Sequence, residues 1–206
     1  MRVKICGLTN LPDALAAVEA GADALGFMFY DRSLRHISVK AAADIIRALP
    51  PLVSTVGVFV DASAEVINEA LAACRLSAVQ LHGSERPEFC RRLRCPVIKA
   101  FRIEGPQSLE AIRAYETTAW LLDSFVPGKM GGTGVRFNWD LAARANTWGR
   151  PVILAGGLTP ENVASAVKQV RPFAVDVSSG VEIDPGKKDS GKMRAFVAAA
   201  KIAAYS

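Results

Sequence analysis

Residues 152–180 read VILAGGLTPENVASAVKQVRPFAVDVSSG, and this stretch holds one complete structural unit. Val152 to Ala155 is a short β-branched run that reads as a strand. Gly156-Gly157 ends it. Thr159 then stands where a side chain caps a helix, with Pro160 at the first helical position, which needs no N–H. Val163, Ala166, Val167 and Val170 recur at helical spacing and predict a buried stripe. Ala174 to Val177 is a second strand, closed by Ser178-Ser179-Gly180. Two strands joined by one helical crossover must run parallel.

Working outward, the same alternation fills the chain. The other expected strands are Val3 to Cys6, Ala24 to Phe29, Leu52 to Val60, Ala78 to Leu81, Val97 to Phe101 and Ala119 to Asp123, which makes eight in all. The intervening helices carry start signals at Ser38, Ser63 and Ser84, followed by apolar residues such as Ala42 and Ile45, Val66, Ile67 and Leu71, and Phe89 and Leu93. A short helix is expected around Ser108 to Tyr115 and a last one over Lys192 to Ala204. Parallel strands need cover on both faces, and eight such units in 206 residues predict one α/β domain over residues 1–206, a closed (βα)8 TIM barrel. No G-x-G-x-x-G follows the first strand, which counts against a dinucleotide fold.

Composition narrows the function classes. Half the residues are hydrophobic, enough for one sizeable core. No stretch approaches the ~20 apolar residues of a membrane span, and no signal-peptide core follows Met1, so a cytoplasmic protein without membrane partners is expected. The four cysteines and two histidines have no metal-ligand or disulfide spacing; Cys74, Cys90 and Cys95 read as packing residues. The net charge of +5 is scattered and forms no basic stripe, which favours a small anionic ligand over nucleic acid. Oligomeric state, monomer or homodimer, is open at this level.

In such a barrel the chemistry lies at the carboxyl ends of the strands. The seventh and eighth strands end in Gly156-Gly157 and Ser179-Gly180, whose exposed N–H groups suit a phosphate. The first ends at Cys6, a small core residue in isolation, but a usable base in the mouth if cations or N–H groups lower its pKa. Asp123 follows an apolar run and is either a turn cap or an acid whose pKa desolvation would raise. Together the two give an acid and a base facing one pocket. Arg35 could clamp a carboxylate or phosphate, or be a solvated loop residue; His82, at the end of the fourth strand, is a polar contact or a cap, and His36 reads as surface. The glycine-rich stretch 128–134 could close over a ligand, and it lacks the ending of a P-loop, so ATP is not indicated.

Seven motifs stand in order along the chain: KICGLT from Lys4, SLRHIS from Ser33, VQLHG from Val79, LDS from Leu122, GGTG from Gly131, LAGGL from Leu154 and DVSSGVE from Asp176. Together they resemble the phosphoribosylanthranilate isomerases of tryptophan biosynthesis from end to end. The resemblance implies a cofactor-free Amadori rearrangement of N-(5-phosphoribosyl)anthranilate. It makes Asp123 the general acid at the furanose ring oxygen and Cys6, as thiolate, the base at C2 of the sugar. It assigns Arg35 to the anthranilate carboxylate, the backbones at Gly156, Gly157, Ser179 and Gly180 to the phosphate, and His82 and Asp176 to the pocket as polar residues. Leu34 departs from the family's usual proline, which questions the rigidity of the Arg35 loop, and Asn138 departs from a common aspartate. The rivals are a related sugar-phosphate isomerase barrel, which would carry aspartate at the end of the first strand, and a non-catalytic phosphate sensor, which would need neither Cys6 nor Asp123.

Overall fold

A computed structural model describes residues 1–124 and 139–205. Among the described residues eight strands alternate with eight helices: β1 (Arg2–Cys6), α1 (Leu11–Glu19), β2 (Ala24–Met28), α2 (Val39–Arg47), β3 (Ser54–Phe59), α3 (Ala64–Cys74), β4 (Ala78–Leu81), α4 (Pro87–Arg92), β5 (Val97–Ile103), α5 (Pro106–Ala111), β6 (Ala119–Ser124), α6 (Trp139–Asn146), β7 (Val152–Leu154), α7 (Val163–Val170), β8 (Ala174–Val177) and α8 (Ser190–Ala203). A short hairpin, β9 (Glu182–Asp184) and β10 (Lys187–Lys188), is inserted between β8 and α8. Each of the eight strands pairs with the next, and β8 pairs in parallel with β1, so the barrel is closed. Among the described residues no helix is long and apolar enough to cross a membrane.

Strand alternation sorts the core into two shells. Val79 and Leu81, Trp120 and Leu122, Val152 and Leu154 face outward and pack against the helices. Their neighbours turn inward: Val56, Ile98, Ala100, Ala119, Leu121, Ile153, Ala155 and Ala174 fill the barrel. The inner shell is made of small and branched residues because eight strands leave little room.

Element starts show where local chemistry and packing diverge. Ser38 and Ser63 cap their helices as expected, accepting from the N–H of Ala41 and Val66. We expect Ser38→Ala to lower stability in urea unfolding by about 1 kcal/mol. Ser84 caps nothing: its own N–H donates to Asp61, and α4 begins three residues later at Pro87. The Thr159-Pro160 start also shifts, because Asn162 turns its side-chain oxygen back to the Thr159 N–H and α7 begins at Val163. Its stripe of Val163, Ala166, Val167 and Val170 is buried as read. In α3 the buried face is Ile67, Ala70 and Cys74, while Val66 is 49% exposed. Leu52 does not start β3; it stands at φ 71°, a left-handed conformation incompatible with a strand. β2 stops at Met28, one residue early, and β5 runs on to Ile103.

Candidate active site

Inward-facing positions at the carboxyl ends of the strands collect the polar residues. Lys4 and Cys6 alternate on the inner face of β1. In register, Lys4 pairs with Asp176 of β8 and Cys6 with Gly26 of β2. Gly26 is what admits the thiol: a Cβ there would lie 2.7 Å from Sγ of Cys6. Sequence reading missed Gly26, because a glycine inside a strand signals only a close approach, without naming what approaches.

Lys4 and Asp176 form a buried ion pair, Nζ to Oδ1 at 2.7 Å, with side chains 4% and 10% exposed. One oxygen of the expected pocket contact Asp176 is therefore bound to Lys4. Burial alone would push the Lys4 ammonium down, but attraction to Asp176 and Cys6 more than offsets it, and the pKa is raised. The Cys6 thiol moves the other way from the sequence expectation. Cations do face it, yet desolvation outweighs Lys4 and Lys188, Asp176 adds repulsion, and its pKa is pushed up.

Across the mouth, Asp123 stands next to last in β6 with its side chain 28% exposed, and Nε2 of His82 lies 3.4 Å from Oδ2. The other ring nitrogen, Nδ1, meets Nε2 of Gln80 at 3.0 Å. An amide NH₂ is only a donor, so Nδ1 is turned to accept and Nε2 is left facing Asp123. His82 thus braces the Asp123 side chain. Gln80 is 1% exposed inside the barrel, and its Oε1 has no hydrogen-bond partner among the described residues.

Arg35 is bound, not solvated. Its Nε and Nη2 donate to the two oxygens of Glu182 at 2.8 and 2.5 Å, a bidentate fork. Ser33 Oγ accepts from the Arg35 N–H, and Met28 bridges to His36, so the loop is braced despite the exposed Leu34. Glu182 also receives Lys188 Nζ at 2.7 Å. Burial pushes the Glu182 carboxyl up, but Arg35 and Lys188 prevail and hold it below the usual range. Hydrogen bonding to Glu182, opposed by burial, raises Arg35, whereas burial pushes the enclosed Lys188 down. Strand–helix periodicity gave no sign of Lys188, which enters on the hairpin.

The phosphate-loop candidates fall side by side. Gly156 and Gly157 take φ 81° and 63°, which glycine adopts without strain. At Gly180 a Cβ would lie 1.9 Å from the Leu158 carbonyl oxygen, so only glycine lets the loops after β7 and β8 touch. Ser179 begins a single 3-10 turn, Ser179–Val181, at the end of β8. The stretch 128–134 and Asn138 lie outside the described residues. Among the described residues no group of three or more His, Cys, Asp or Glu is placed to hold a metal ion.

Known proteins resemble the chain along nearly its whole length. Residues 3–199 match the family model described as N-(5'phosphoribosyl)anthranilate (PRA) isomerase. The N-(5'-phosphoribosyl)anthranilate isomerase of Geobacter sulfurreducens is 56% identical over 201 residues, covering 98% of each chain. The crystal structure of phosphoribosyl anthranilate isomerase from Thermotoga maritima superposes with a TM-score of 0.93 at 48% identity, again covering 98% of both chains. A phosphoribosyl anthranilate isomerase in complex with reduced 1-(o-carboxyphenylamino)-1-deoxyribulose 5-phosphate matches with a TM-score of 0.89 at 47% identity, 98% of each chain covered. By family model, sequence and fold alike, the chain belongs to the N-(5'-phosphoribosyl)anthranilate isomerase family, enzymes of tryptophan biosynthesis.

Proposed function

We propose that Cys6 and Asp123 are the base and acid of the family's isomerisation of N-(5-phosphoribosyl)anthranilate, with the phosphate held between them. The order of strands around the barrel carries this reading. Going from β6 to β1 the barrel passes β7 and β8, so Asp123, the Gly156-Gly157 loop, the Ser179-Gly180 loop and Cys6 follow one another around a single arc of the mouth. A sugar phosphate tethered at the middle of that arc has its ring within reach of both ends.

In the first step Asp123 donates a proton to the furanose ring oxygen, and the C1–O bond opens to a Schiff base. Cys6 as thiolate then takes the proton from C2, and the electron pair moves into the C1–C2 bond to give an enolamine. Tautomerisation delivers the aminodeoxyribulose phosphate. Acid and base must begin in opposite protonation states: Asp123 stands partly solvated beside a histidine, and Cys6, whose thiol burial pushes up, has Lys4 and Lys188 facing it to offset part of that cost. Arg35, already oriented by Glu182, offers its remaining N–H groups to the anthranilate carboxylate.

The test is turnover of freshly generated N-(5-phosphoribosyl)anthranilate by the purified chain, followed by loss of substrate fluorescence and by detection of the ribulose product. Product formation without added metal or nucleotide supports the reading; no product overturns it. For Arg35→Ala we expect the KM to rise about tenfold or more while kcat falls less, since the clamp binds a group remote from the bonds that change. An unchanged KM would remove Arg35 from the binding site.

A further inference from the structure

The innermost charged pair of the barrel, Lys4 with Asp176, is not used in the proton transfers. It lies buried on the inner face of a barrel whose interior is otherwise filled by apolar residues such as Ile98, Leu121 and Ile153, and burying two charges carries a desolvation penalty that a hydrophobic pair would avoid. Lys4 has a second neighbour, however. It stands two residues before Cys6 on the same face of β1, and Asp176 fixes its ammonium from the adjoining strand at 2.7 Å.

We propose that Lys4 is the positioning residue of the base: its ammonium, anchored by Asp176, is the counter-cation that makes the Cys6 thiolate attainable inside the barrel. This rests on the reading of Cys6 as the base. Among the described residues, the charged groups that face the thiol are Lys4 from β1, Asp176 from β8, Lys188 from the β9–β10 hairpin and Arg35 from the loop after β2. Of the cations, Lys4 acts most strongly on the thiol, whereas Arg35 and Lys188 are both committed to Glu182. Asp176 has two opposed effects. It repels the thiolate, yet it also keeps the ammonium buried and charged.

This arrangement predicts opposite responses in two variants. Lys4→Met leaves burial and Asp176 opposed only by the weaker pull of Lys188 and Arg35, so the thiol midpoint moves up. Asp176→Asn removes the repulsion and leaves Lys4 to the thiol alone, so the midpoint moves down. A pair that only braces the barrel would lower thermal stability in both variants and shift neither midpoint.

The experiment is a pH titration of thiolate ultraviolet absorbance in the whole chain, with the matching Cys6→Ser background subtracted so that Cys74, Cys90 and Cys95 cancel. A shift of one unit, well below the midpoint, is about a tenfold change in thiolate, and at least that loss is expected for Lys4→Met. The basic-side pKa of kcat/KM should move with it. Unshifted midpoints in both variants overturn the proposal. Should Lys4→Met fail to fold, Asp176→Asn decides, and an upward or unchanged midpoint overturns it. Failure of the underlying reading looks different: Cys6→Ser would then turn over near the wild-type rate, whatever the titrations give.

Discussion

Exchanging Cys6 for serine, or Asp123 for asparagine, is expected to lower kcat by roughly two or more orders of magnitude while a phosphorylated ligand still binds. Serine preserves the size of the side chain and the room that Gly26 leaves for it, but its hydroxyl is a far weaker acid than a thiol, so an anion able to take the C2 proton is not available near neutral pH. Asparagine keeps contact with His82, but its amide N–H groups are far too weakly acidic to transfer a proton to the ring oxygen. The two losses fall on consecutive steps, so the double variant should be little worse than the slower single one. Steady-state turnover beside a binding assay with a product analogue separates the outcomes. Activity near wild type in either variant removes that residue from its role; loss of binding as well would mean that the variant has disturbed the phosphate loops.

The barrel was legible because each strand is buried on both faces and each connection is a helix, so the alternation of short apolar runs with helical stripes survives even where boundaries blur. What misled at the boundaries was local. Ser84 and Thr159 have the chemistry of caps, but Asp61 takes the Ser84 N–H and Asn162 turns back on Thr159. The candidate acid and base were legible through position alone, as polar residues ending apolar strands. Their supports were not. Lys4 could have been found from its alternation with Cys6, whereas Gly26, Gln80, Glu182 and Lys188 reach the site through register or through the hairpin, neither of which periodicity encodes.

The largest effect on stability is expected from Lys99→Met, a loss of about 3–5 kcal/mol in urea unfolding. Lys99 and Glu85 are each 3% exposed and meet at 3.1 Å. The ammonium also lies within hydrogen-bond distance of the carbonyl oxygens of Leu81, Gly83 and Ala100, while Glu85 accepts from the N–H groups of Asp61 and Gly83. Methionine fills the volume but leaves a buried carboxylate and three carbonyls without their cation. Adding Glu85→Gln should restore part of the loss, because the uncompensated charge goes and the amide oxygen can still accept one N–H. A Lys99→Met cost below about 1 kcal/mol would mean that the pair contributes no more than an exposed one. The same lysine also ties this remote pair to the chemistry. Leu81 and Gly83 flank His82, whose imidazole faces Asp123. Loosening those two carbonyls should therefore slow turnover even in the fraction that stays folded, and the Glu85→Gln addition should recover stability more fully than rate, since it does not replace the donor that fixes both sides of His82.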